Sequence, residues 1–174
     1  DVPPQYMLKD GKWTGKAVEM MEALLTEANC RAEYVKIPWK RALIELEKGH
    51  IDGMMNVSYD KQRADDYYLI SPNTVITTVL LINKNIKTNI SSLSDLEKLP
   101  NKIGYEPGNL FNEAFINKYS KEQSFRDVFV GLETGDMTKM LFLERLSGEL
   151  TMLENAKYAL KHNSNYKENM KIHP

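Results

Sequence analysis

Apolar positions recur at mostly three- and four-residue steps through Ala17, Val18, Met21, Leu24, Leu25 and Ala28, and predict an amphipathic helix. Thr14 stands at its N-cap position, with Gly15 directly behind it. Upstream, Asp10-Gly11 reads as a turn, and Pro3-Pro4-Gln5-Tyr6 cannot form a regular strand interior. Ala32 to Ile37 alternates weakly and carries Tyr, Val and Ile, which predicts a strand. Pro38 opens a helix bearing Ala42, Leu43 and Leu46, and Gly49 is its C-terminal residue. Met54 to Val57 reads as a short strand, and Val75 to Ile82, rich in β-branched residues, gives the strongest strand signal of the chain. Strand–helix–strand alternation at this spacing predicts a parallel sheet covered by helices, an α/β fold.

A polar stretch from Asn83 to Ser92 leads into a second, similar cycle. Ser92 or Ser94 caps a short helix over Leu93 to Leu99, and Pro100 stops it. Lys102 to Tyr105 reads as a strand, and Pro107-Gly108-Asn109 as a turn into a helix across Phe111 to Ile116. Phe125 to Val130 is a further expected strand. Met137, Met140, Leu141 and Leu146 mark a helix with Gly148 beyond it, Leu150 to Leu153 a strand, and Ala156 to Leu160 a short final helix. No short regular repeat or low-complexity segment is present, which argues against solenoids.

The 174 residues suffice for one ordinary domain or two small lobes. With 23 basic and 24 acidic residues the net charge is −1, which points to neither nucleic acid nor an anionic membrane as a partner. The longest apolar run, Val75 to Ile82, is too short to span a bilayer. Asp1-Val2-Pro3-Pro4 has no signal-peptide character, so the expectation is a cytosolic protein or a removed targeting segment. Cys30 is the only cysteine; its place at the end of the first helical stripe predicts a buried, inert thiol. The three histidines have no metal-ligand spacing, and no metal site is expected.

Between Ile37 and Pro72 several chemical groups follow one another at suggestive spacing. Trp39 and Arg41 open a helical pattern, and Ser58 stands five positions ahead of Arg63, where a strand ends and a helical turn begins. Ligands collect at strand C-terminal ends of α/β sheets, and a guanidinium meets a carboxylate with two parallel hydrogen bonds. On local features alone the favoured reading makes Ser58 a helix cap and Arg63 a surface partner of Asp60. Trp39 is equally a core anchor, and Arg41 equally a solvated helix residue.

This order of parts resembles the type II periplasmic solute-binding proteins, the amino-acid-binding type of bacterial extracellular solute-binding protein family 3. The resemblance implies a two-lobe α/β fold, each lobe a mainly parallel sheet flanked by helices. It implies that Ser58 and Arg63 hold the α-amino and α-carboxylate groups of the ligand. Asn56 would present its backbone to the ligand, and Trp39 would form an aromatic wall with Arg41 as a second cation. Tyr67 to Pro72 is similar to the family's Phe-Ser-x-Pro-Tyr ending, with Pro72 in place and Leu69, Ile70 and Asn73 departing from it. Pro3-Pro4-Gln5-Tyr6 is similar to the loop after the family's first strand, with Gln5 replacing an aromatic. The family's first strand would precede Asp1, and its return to lobe one would follow Pro174, so a fragment of a longer protein is expected.

In lobe two, Gly104-Tyr105-Glu106-Pro107-Gly108-Asn109 resembles the family's strand-to-helix loop, whose N–H groups at Gly108 and Asn109 would meet the ligand carboxylate. Glu154 and Asn155 are the candidates for the group that holds the ligand's amino end, and Gly148-Glu149-Leu150-Thr151 departs from the common Gly-Arg-x-Asp. Glu106 with Glu154 would suit a ligand carrying a positive group. The implied boundaries are lobe one at 1–82, a crossover at 83–91, lobe two at 92–170 and the start of a return hinge at 171–174. Lobe closure over the ligand would follow from contacts made only in the closed form.

No nucleophile–base pair, phosphate loop or metal motif accompanies these residues, so no enzyme and no cofactor is expected. The implied function is extracytoplasmic binding of an amino acid or similar carboxylate for ABC-type uptake, with a membrane permease as partner. The alternatives are the ligand-sensing ectodomain of a receptor kinase or cyclase, and the lobe pair of a lytic transglycosylase-like enzyme.

Overall fold

The computed structural model describes residues 2–59, 61–70, 75–119 and 123–173. They form two compact units, Asp1–Val75 and Ile76–Pro174.

The first unit opens with a hairpin, β1 (Met7–Lys9) against β2 (Lys12–Thr14), turned by Asp10 and Gly11 at positive φ. Helix α1 (Lys16–Glu27) follows, and its N-cap is Gly15 rather than Thr14. Thr14 is held in β2, and the first helical N–H groups find backbone acceptors instead: Lys16 donates to the Pro4 carbonyl at 3.3 Å and Ala17 to the Gln5 carbonyl at 3.0 Å. Gly15 sits at φ 123°, and a side chain there would run into those same carbonyls. Because α1 ends at Glu27, Cys30 lies past the helix and is exposed, not buried.

Helix α2 (Trp39–Glu47) begins behind Pro38 and ends at Lys48, with Gly49 at φ 70°. The short helix α3 (Lys61–Asp66) completes the unit. The strands expected at Ala32 to Ile37 and Met54 to Val57 are not formed. A strand is defined by its ladder, and neither segment has a neighbouring backbone to pair with among the described residues. Of this unit's described hydrophobic residues only Ala17, Val18 and Ala42 are buried.

The second unit is built on β3 (Thr78–Asn83), β4 (Ile103–Tyr105), β5 (Phe129–Gly131), β6 (Gly148–Met152) and β7 (Met170–Ile172), in the order β5-β4-β6-β3-β7. Strands β5, β4 and β6 run parallel, while β3 is antiparallel to both β6 and β7. The sheet is therefore mixed. The ladders of β3 place it wholly in the unit Ile76–Pro174. Residues 170–172 likewise pair within this unit.

Helices α4 (Leu110–Tyr119), α5 (Gln123–Asp127), α6 (Thr134–Phe142), α7 (Leu153–His162) and α8 (Ser164–Asn169) flank the sheet, with a 3₁₀ helix at Leu93–Lys98. The strand expected over Phe125 to Val130 begins as α5, because Phe125 packs from that turn against Phe129, their rings 5.4 Å apart. Alternation along β3 sends Leu81 into one cluster with Met137, Leu141, Tyr166 and Met170, and Leu80 onto another built from Leu96, Ile103, Phe125, Phe129 and Leu150.

Candidate functional site

In the first unit the segment after α2 carries the expected anion-binding pair. Arg63, half-buried on α3, turns its guanidinium back and donates from Nη1 to the Ser58 backbone carbonyl at 3.2 Å. The structure thus brings Arg63 and Ser58 together through the main chain, while the Ser58 hydroxyl makes no hydrogen bond among the described residues. Asn56 adopts φ 57°, a left-handed conformation that asparagine tolerates and that turns the chain ahead of Ser58. Trp39 is the first residue of α2 and is half-buried. Arg41 lies on the exposed face of α2 and pairs with Glu45 at 3.7 Å. Ser71, Pro72 and Asn73, the end of the aromatic run, lie outside the described residues.

In the second unit, β5, β4 and β6 run parallel and each leads into a helix. Their C-terminal ends therefore set the first turns of α4, α6 and α7 along one edge, where helix N–H groups accumulate. The loop Glu106–Asn109 joins β4 to α4, closed by an Asn109 N–H to Glu106 carbonyl bond of 3.3 Å with Gly108 at φ 86°. Asn109 caps α4, its side-chain oxygen 3.4 Å from the Asn112 N–H. The Gly108 N–H is already engaged: it donates to Glu113 Oε1 at 2.7 Å. Buried Asn112 ties the same helix to the sheet by donating to the Leu150 carbonyl at 3.3 Å.

At the end of β6, Glu154 and Asn155 occupy the first turn of α7. Glu154 is exposed and pairs with Lys157 at 3.2 Å. Asn155 buries its Oδ1, which has no hydrogen-bond partner among the described residues. An acceptor left this way beside a helix start is an unmet demand for a donor.

The family model for bacterial extracellular solute-binding proteins, family 3, matches residues 1–171. The chain belongs to that family. No curated protein matches it. Among solved structures it is similar to the arginine-, lysine-, histidine-binding protein ArtJ from the thermophilic bacterium Geobacillus stearothermophilus, at 21% identity and TM-score 0.80, over 98% of this chain and 71% of that one. An ancestral arginine-binding protein bound to glutamine is 20% identical with TM-score 0.79, over 98% and 73%. A histidine kinase sensor domain with similarity to periplasmic binding proteins is 17% identical with TM-score 0.81, over 99% and 72%. These structural likenesses carry the two-lobe α/β fold.

Within this family member two acids escaped the sequence reading as site residues. Glu113 is five residues past Gly108, and only the turn between them shows that its carboxylate reaches the Gly108 amide. Glu149 had a visible signal, an acid inside an apolar strand. It is 7% exposed, registered beside Leu81 and Gly104. Burial, reinforced by the Glu106 charge, pushes its carboxyl up to about 7. On the same face the phenol of Tyr166 is pushed up to about 12, by burial first and then by Glu149.

Proposed function

We propose that this chain binds an amino acid or a closely similar small carboxylate outside the cytoplasm and presents it to a membrane permease for ABC-type uptake. The observation that carries the reading is the Arg63–Ser58 contact, in which the guanidinium donates to the Ser58 backbone carbonyl at 3.2 Å and so stands next to the Ser58 side chain. Arg63 would take the ligand carboxylate, with Ser58 and the Asn56 backbone beside it and Trp39 and Arg41 at the wall. The second unit would add the amides of Gly108 and Asn109. The orphan Oδ1 of Asn155, with Glu154, would take the ligand's ammonium group. Exposed Glu106 supports a further preference for ligands with a positive side chain. The chain divides into its two units at Val75–Ile76, and closure would draw on ligand contacts made only in the closed form. The role is binding without catalysis.

The likeness to a sensor domain of a histidine kinase favours a second reading, a ligand-sensing ectodomain with the same binding chemistry. A thermal-shift screen against amino acids, amines and small organic acids tests the binding itself. A ligand at a hundred times its Kd stabilises by about 2.7 kcal/mol, and Arg63→Ala abolishes that shift. Stabilisation that survives Arg63→Ala removes the carboxylate clamp from the account.

A further inference from the structure

We propose a second small-molecule site in the unit Ile76–Pro174, at the end of the sheet remote from the Glu106–Asn109 loop, that takes a small amino or hydroxy acid. Strand β3 ends there at Asn83, and β4 and β6 begin there. Register along β6, from Gly148 to Met152, separates this end from the first turn of α7 by about 13 Å at the usual strand rise. A pocket of about 310 Å³ opens at this end, at the small limit of ligand cavities.

Its walls are hydrogen-bonded to one another. Asn85 donates to Glu144 Oε1 at 2.8 Å, and Asn101 donates to the Glu144 carbonyl at 3.0 Å. Asn101 is fixed in turn by Ser147, whose hydroxyl accepts from the Asn101 N–H at 2.9 Å and donates to its carbonyl at 2.8 Å. The floor holds Asn83, only 5% exposed. Its Oδ1 accepts from the Asn85 N–H at 3.3 Å, which fixes the orientation of the amide. The Asn83 Nδ2 group then has two N–H donors and no hydrogen bond among the described residues.

The residue as a whole is buried, so the pocket is where the donors of this amide meet solvent. Beside it, Lys87 has no ion pair and the Thr88 hydroxyl no hydrogen bond among the described residues. Ammonium, amide and hydroxyl together are a donor set for a carboxylate. The same lining includes Glu144 and Asn101, whose second carboxylate oxygen and side-chain carbonyl are acceptors for a hydroxyl or ammonium on the same ligand. The Glu144 charge opposes a plain anion, so the lining selects a molecule with an acid at one end and a donor at the other.

The test is a site-resolved NMR titration of the whole chain with glycine, glycolate and inorganic phosphate. The expected result is a saturable shift of the Asn83 side-chain amide with glycine or glycolate and none with phosphate. Affinity falls at least about tenfold, ~1.4 kcal/mol, in Lys87→Ala, where an exposed ammonium is removed without disturbing the core. Asn83→Asp keeps the acceptor for Asn85 while removing the donors, and the Thr88 and Asn101 signals then no longer respond. Arg63→Ala leaves the response intact, which separates this site from the one in the first unit. Shifts that never saturate, that phosphate reproduces, that persist in Lys87→Ala, or that vanish in Arg63→Ala each overturn the proposal.

Discussion

Glu149 is a carboxyl inside a hydrophobic layer, and its titration couples to the stability of the second unit. Its folded-state value of about 7 lies above its ordinary 4.5, so between these the folded chain holds a proton that the unfolded chain has released. Stability is then full below pH about 4.5, falls as pH rises towards 7, and levels off above it. The expected loss is on the order of 3 kcal/mol. Glu149→Gln should flatten that slope in urea melts from pH 4.5 to 8; an unchanged slope assigns the effect elsewhere. Glu113 sets a different prediction, one that belongs to binding. Its carboxylate holds the amide that the proposed site would offer to a ligand, so the two compete. Glu113→Ala should raise affinity for a carboxylate ligand about tenfold, the worth of one charged hydrogen bond of ~1.5 kcal/mol. Calorimetry with the ligand found by the thermal-shift screen measures it, and weaker binding in the variant would make Glu113 a loop brace only.

Among the elements, β6 depends on a residue with no side chain. A Cβ at Gly148 would meet the Leu81 carbonyl of β3, a backbone atom that cannot swing aside. Gly148→Ala should cost about 2 kcal/mol or more, as overpacking does, and lower the thermal midpoint of the second unit. The 3₁₀ helix depends on Asp95, whose Oδ2 accepts from the Ser91 and Ser92 N–H groups at 3.1 and 2.9 Å and whose Oδ1 meets Lys98 at 2.6 Å. Lys98 first, then Ser92 and Ser91, hold its carboxyl well below the usual range. A depressed folded-state value means a contribution present at neutral pH and lost only in strong acid. Asp95→Asn should lower the melting temperature at pH 7 and lower it by less at pH 2, where part of the contribution is already lost; an equal loss at both would show that charge plays no part.

At the scale of the molecule the two units differ in what they bury. Two clusters meet on either side of the β3–β6 sheet in the second unit, whereas the first buries only three small apolar side chains among its described residues. Leu24, Val35 and Ile44 remain exposed there. Opening free energy follows buried contacts, so amides of β3, β4 and β6 should exchange orders of magnitude more slowly than those of α1 and α2. Hydrogen exchange followed residue by residue checks this, and uniform protection would contradict it.

The sequence by itself determined the helices whose apolar stripes repeat cleanly, α1, α2 and α6, and the strands β3, β4 and β6, because side-chain period is a local property. It also put Ser58 and Arg63 within reach, since five residues across a turn leave the two few alternatives. Tertiary structure decided the rest. Whether Ala32 to Ile37 becomes a strand depends on a neighbour to share its ladder, and no local pattern supplies one. Whether β3 belongs to the first or the second unit was settled by its bonds to β6 and β7, which lie 70 residues away at the Leu80–Leu150 pair and 91 at the Leu81–Ile172 pair. The burial of Glu149, the capture of the Gly108 amide by Glu113 and the unengaged amide of Asn83 all arise from packing between distant segments, where hydrogen bonds and desolvation depend on three-dimensional neighbours.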